Sequence, residues 1–224
     1  LVVVRTTLGI VSRSAIVPLY LRNDVVGPMC RTVEDATRVL DIIAGYDPDD
    51  PLTEYSTNKI PDTYMQFLDK EGLQGKRIGV LADLACNNPD PEIEKLFRQA
   101  VEDIEALGAE VIDSVYIPGF DELRQNQWCP MFRHDLEAFL AEYVKDNSLK
   151  TIEDVISVGS KSEFAAARLR ESAEVEVSTG NDDKECMDAF TDTRRIAFRG
   201  AIEDVIDSLQ LDAFIYPTWN NKPA

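Results

Sequence analysis

Histidine occurs once in the 224 residues, at His134, and the four cysteines Cys30, Cys86, Cys129 and Cys186 form no CxxC pair. A structural zinc site needs four close nitrogen or sulfur ligands, so none is expected. Basic residues are also scarce, 23 against 41 acidic ones, for a net charge of −18. Binding to a polyanion depends on clustered Lys and Arg that release counterions, so nucleic acid is not expected as a partner. No apolar run reaches the ~18 residues of a membrane span, and LVVVRTT has none of the features of a signal peptide. Neither a membrane nor export is indicated. Widely spaced cysteines are expected to be unlinked, buried and apolar in character, which fits a reducing, cytoplasmic setting. Also missing are a GxSxG elbow, a GxGxxG turn, a P-loop and an HExxH helix, and with them the usual cradles for phosphate, metal or an activated serine. No cofactor and no metal are expected.

What is present is the balance of a globular chain, 44% apolar and 29% charged, long enough to bury roughly 70% of its unfolded surface. Short extended pieces at Leu1 to Val4, Ile10-Val11 and Ile16-Val17 come first. Thr32 then caps a helix whose stripe is Val33, Ala36, Leu40, Ile43 and Ala44, ending at Gly45, and a Pro- and Asp-rich loop follows to Pro61. Arg77 to Ala82 reads as a buried strand. Asp90-Pro91 opens a helix with Ile93, Leu96, Phe97, Ala100, Val101, Ile104 and Leu107 on one face, expected to be buried. Gly108 stops it and Ala109 to Ile112 is a second strand, so the unit is βαβ with parallel pairing. A long helix over Asp121 to Lys145 is expected to break or kink near Pro130, a polar stretch containing a helical Ala165 to Ala167 follows, and a helix over Thr193 to Leu209 precedes a strand at Ala213 to Tyr216. The class is α/β, a large mixed sheet flanked by helices.

Two local chemistries fail on spacing. Cys129 and His134 are five residues apart and would sit about 140° apart around a helix, and Ser160 and Lys161 are adjacent, so neither pair meets as nucleophile and base. The carboxylates Asp47, Asp49, Asp50, Asp182, Asp183 and Glu185 read as solvated loops.

The segment Leu8-Gly-Ile-Val-Ser-Arg-Ser-Ala-Ile-Val-Pro-Leu19, followed by Asn23-Asp-Val-Val-Gly-Pro-Met-Cys-Arg-Thr-Val-Glu-Asp-Ala36, resembles the amidase signature family, whose pattern is close to GLVSRxGIVPLS and then QDTVGPMARTVxDA. Leu40 to Asp47 is similar to its LDxIAGYD, Gly72 to Val80 to its LKGKRIGV, and Leu211 to Thr218 to its LDALVYPT. The resemblance spans nearly the whole chain and is weakest from about Phe120 to Thr193. It implies a hydrolase that cleaves a carboxamide to a carboxylic acid and ammonia or an amine through a Ser-Ser-Lys acyl-enzyme. No paired-serine, glycine-rich segment is present, and Ser12 and Ser14 match strand and turn positions. The resemblance therefore implies a single domain over 1–224, the C-terminal portion of a larger amidase-like domain, with no catalytic residue in this chain and inactive alone. Its partners would be a small-molecule amide and the missing N-terminal part of the enzyme, and a homodimer is left open.

Two departures bear on the site: Thr6 or Thr7 stands where the family has proline, and Val25 where it has threonine, which removes a hydroxyl. Asp24 could pair with Arg22 or Arg31 to shape its loop, and loops at strand ends often wall a cleft. Asp24 and Val25, with Trp128 on a second wall, are the expected substrate-binding residues. The alternative from another class is a non-catalytic scaffold or binding chain of the same fold.

Overall fold

The computed structural model describes residues 1–85, 88–125, 127, 129–145, 148–175 and 190–221. In chain order its strands are β1 (Val2–Val3), β2 (Met29–Cys30), β3 (Arg77–Leu81), β4 (Glu110–Val115) and β5 (Ala213–Ile215). Its α-helices are α1 (Val33–Ile43), α2 (Ala82–Ala85), α3 (Pro91–Ala106), α4 (Phe120–Arg124), α5 (Phe132–Tyr143), α6 (Ile152–Val158), α7 (Glu163–Ala173) and α8 (Thr193–Leu209). The chain divides into two compact units, one of Leu1–Leu68 with Trp128–Asp188, the other of Asp69–Gln127 with Ala189–Ala224.

In the first unit β1 and β2 pair antiparallel, with Val2 opposite Cys30. Gly27 makes the return possible, because a Cβ there would stand 1.9 Å from the Val4 carbonyl oxygen. The Thr32 hydroxyl accepts the Asp35 N–H and caps α1, which buries Ala36, Thr37 and Leu40. The Pro- and Asp-rich stretch is not wholly irregular: Pro51–Ser56 and Tyr64–Phe67 are 3₁₀ turns capped by Asp50 and Thr63. The Asp41 carboxylate also receives the Thr63 hydroxyl and the Tyr64 N–H, which ties the second turn to α1. Ile10-Val11 and Ile16-Val17, expected as strands, form only the single bridge Val11–Ala44. The intervening Arg13, Ser12 and Asp24 spend the local hydrogen bonds on side chains instead. A separate cluster of Leu136, Leu140 and Ile152, with Phe132, Phe139 and Leu169 against it, joins α5, α6 and α7.

The second unit is a three-stranded parallel sheet in the order β4-β3-β5, with Ile78 opposite both Val111 and Ala213. The βαβ reading holds. Asp90 caps α3 ahead of Pro91, and Gly108, at φ +93°, turns the chain out of the helix toward β4. Glu94, Gln99, Glu102 and Glu105 face solvent as expected. The opposite face differs from expectation, since no α3 residue is fully buried and Leu96 and Leu107 are exposed. A groove of about 510 Å³ is lined by Val80 and Val111 of the sheet and Phe97 and Val101 of the helix. The core proper lies across α4 and α8, where Leu81, Val115, Ile117, Phe120, Val205 and Leu211 are buried and Phe120 meets Phe198 edge to face at 5.6 Å.

The α/β class is borne out, in two small sheets among the described residues. The expected helix from Asp121 to Lys145 is two helices, α4 ending at Arg124 and α5 starting at Phe132, just after Pro130, which lacks the N–H that a helix interior needs. Helix α6 and the short α2 were not legible, and α7 is longer than its alanine run.

One expectation is overturned. Cys129 is disulfide-bonded and 1% exposed, whereas Cys30 is a free thiol. Wide spacing in sequence does not prevent two thiols from meeting, because pairing follows Cα separation in the fold. Thiol titration of denatured, unreduced protein should therefore find no more than two of the four cysteines reactive. Four reactive thiols would remove the bridge.

Candidate functional site

The amidase-like motif is laid out in the first unit as a loop over residues 12–27, and one buried ion pair fixes it. Asp50 Oδ2 accepts both the Arg13 backbone N–H at 2.9 Å and Nε at 2.8 Å, while Nη2 reaches Oδ1 at 2.7 Å. The remaining direction of the guanidinium, Nη1, donates to the Leu21 carbonyl at 2.6 Å. The two side chains are 10% and 4% exposed, so the pair is desolvated and almost fully hydrogen-bonded. Burial pushes the Asp50 carboxyl upward, but the Arg13 hydrogen bonds and charge, with the Leu52 N–H, outweigh it and hold the group below its ordinary value.

Around this pair the other motif residues are tied down. The Ser12 hydroxyl donates to Asp47 Oδ2 at 2.6 Å and accepts the Ser14 N–H. Fully buried Thr53 accepts the Asp47 N–H at 2.8 Å. Thr6, one of the two threonines that could stand where the family has proline, donates its hydroxyl to the Val26 carbonyl at 2.9 Å. Arg5 reaches the Asn23 carbonyl.

Asp24 does shape its loop, through backbone groups. Its Oδ2 accepts the N–H of Leu19 and of Tyr20, both at 2.8 Å, and so closes the turn over residues 19–24. Val25 is half-buried beside it. Trp128 lies outside the described residues, although Pro130 and Phe132, just after it, line a groove with Leu19.

Sequence reasoning missed the aspartates that organise this site. Asp47 and Asp50 were read as solvated loop charges, yet Asp50 is buried and Asp47 bonds Ser12. The available signal was Arg13, the one charged residue in the Leu8 to Leu19 motif, together with Asp50 directly before Pro51, a capping arrangement.

Helix α5 meets this loop through Tyr143, whose hydroxyl is 3.1 Å from that of Ser14, and carries Asp135. Burial raises the Asp135 carboxyl above its ordinary value; the His134 hydrogen bond and charge oppose this, Asp24 adds to it, and Arg13 opposes it. His134 Nδ1 is 3.1 Å from Asp135 Oδ1, but the imidazole is exposed and bridged Cys129 offers no thiolate, so no nucleophile-base pair forms there. Ser160 bonds the Ser162 carbonyl at an exposed helix start rather than Lys161. Among the described residues no group of three His, Cys, Asp or Glu could hold a metal ion.

Among the described residues neither the Cys129/His134 pair nor the Ser160/Lys161 pair meets as nucleophile and base. A raised carboxyl favours folding while protonated, and that contribution is lost as pH rises through the folded-state value. Asp135→Asn should then raise the melting temperature more at about pH 7 than at about pH 4, near the unfolded aspartate value. A larger gain at the lower pH would show that Asp135 is a stabilising carboxylate.

The family model Amidase matches residues 1–224. A "Probable amidase" of Arabidopsis thaliana is 33% identical over 226 aligned residues, covering 95% of this chain and 41% of that protein. The native peptide amidase of Stenotrophomonas maltophilia superimposes with a TM-score of 0.66 at 28% identity, over 93% of this chain and 45% of that one. An amidase family protein of Bacillus anthracis shares the fold at a TM-score of 0.72 and 23% identity, over 97% of this chain and 43% of that one. The chain thus spans less than half the length of these relatives, and it belongs to the Amidase family.

Proposed function

We propose that this chain is part of an amidase that hydrolyses a carboxamide to a carboxylic acid and ammonia or an amine. The acyl-enzyme residues, a Ser-Ser-Lys set, are proposed to lie in amidase sequence outside these 224 residues, which form part of a larger amidase-like domain and are inactive alone. The observation that carries the reading is the family match over residues 1–224, joined to a described site with no nucleophile near a base. In this reading Asp24 acts by holding the turn that carries Leu19, and Val25 lies on the same wall. Its partners are the amide and the remaining part of the enzyme.

Among the described residues no helix is long and apolar enough to cross a membrane. A cytoplasmic setting was expected on the strength of reduced thiols. The bridge at Cys129 removes that support, because disulfides are rare in reducing compartments.

The test compares the 224-residue chain with the same chain joined to, or mixed with, the remaining amidase sequence, on simple aliphatic and aromatic carboxamides, with a serine-directed inactivator as control. The completed enzyme should turn over and lose activity to the inactivator, and the chain alone should show none. Turnover by the chain alone would place the catalytic residues inside it. An inert completed protein would favour the scaffold reading.

A further inference from the structure

A groove of about 760 Å³ lies within the first unit between the Leu19 turn, the start of α5 and α7. Its size is that of a small-molecule site. Leu19, Phe132, Phe164 and Leu169 give it apolar walls, and its charged lining is Arg133, Arg168 and Glu171, the last of which is held by Arg168. Both Leu19 and Phe164 are 72% exposed, so two large apolar side chains flank an open mouth. Asp24 fixes one of them, since the Leu19 N–H is bonded to its carboxylate.

The two arginines differ in what they have left to give. Arg133 is consumed as a strut: Nε pairs with Glu137 at 3.2 Å, Nη2 with Glu153 at 2.9 Å, and Nη1 donates to the Ala173 carbonyl at 2.7 Å. Arg168 lies 5.4 Å over the Phe164 ring and uses only Nη1, toward Glu171 at 2.8 Å. Its Nε and Nη2, the side-on edge that grips a carboxylate with two parallel hydrogen bonds, have no partner among the described residues. In a chain of net charge −18, the charged group with donors to spare at this apolar groove is a cation.

We propose that this groove binds an apolar monocarboxylate, its hydrocarbon or aromatic body against Leu19, Phe132 and Leu169 and its carboxylate on the Nε–Nη2 edge of Arg168. That is the chemical class of acid released when an amide of a bulky apolar acid is hydrolysed. The inference rests on the amidase reading for the origin of the ligand, and it points to amides of such acids as the substrate class. The binding itself depends on this chain alone.

The probe is 4-phenylbutyrate, titrated into the chain by calorimetry, with acetate and 4-phenylbutyramide as controls for the apolar body and the charge. The acid should bind saturably, with each control about tenfold or more weaker, the size expected for a charged hydrogen-bonding pair or a buried ring. Arg168→Gln should bring the acid down to the level of the amide, and Phe164→Ala should weaken acid and amide together. Both side chains are largely exposed, and unchanged thermal melting of each variant excludes misfolding as the cause. Absence of saturable binding at millimolar acid, or an acid affinity unmoved by Arg168→Gln, overturns the proposal. Because no turnover is measured, a negative result leaves the amidase reading to its own assay, and an inert completed enzyme leaves this binding result intact.

Discussion

The ion pair between Arg13 and Asp50 is the constraint on which the first unit depends. Arg13 is the one charged residue in the Leu8 to Leu19 motif, and a buried charge left unpaired costs several kcal/mol. Asp50 takes up three of its donor directions and the Leu21 carbonyl a fourth. The same carboxylate receives the Leu52 N–H and starts the turn over Pro51–Ser56. One aspartate therefore connects the motif loop, the turn after α1 and the backbone near Leu21. The Asp24 turn, the Thr6 bond to Val26 and the close approach of Gly27 to Val4 then have little freedom left.

The second unit is stabilised differently. Its core is apolar apart from the buried Asp192 carboxylate, which pairs with Arg194, and the charged contacts at its strand starts lie at the surface: Lys76 and the Arg77 N–H hold Asp212, and Arg77 pairs with Glu110. These contacts align the starts of β3, β4 and β5, but exposed pairs of this kind contribute only a fraction of a kcal/mol to about 1 kcal/mol each. Helix α3 illustrates what such a small sheet cannot do. Its stripe is apolar enough for full burial, yet Leu96 and Leu107 remain exposed because the strands beneath it are few. The matched relatives in this family are more than twice as long as this chain.

Much of the second unit was legible in the sequence because its signals are local and repeated. Alternation of a β-rich run, a capped helix with a period of 3.6 and a second run gave β3, α3 and β4, and Asp90-Pro91 marked the boundary. In the first unit, α1 was clear for the same reason. The buried Arg13–Asp50 pair was not, since the partners are 37 residues apart and a loop rich in aspartate usually faces water. The Cys129 bridge was missed on similar grounds. The family resemblance located the motif, but only coordinates show that its aspartate at position 24 works through the Leu19 and Tyr20 amides.

The most direct measurement of the central claim is a double-mutant cycle on Arg13→Ala and Asp50→Ala, followed by denaturant unfolding. If the buried pair organises the unit, each single change should cost about 3 kcal/mol or more, because the abandoned charge stays buried. The double variant should then lose far less than the sum, with a coupling of about 2 kcal/mol or more. Additive losses, with a coupling below about 0.5 kcal/mol, would show that the motif loop holds its shape without this pair.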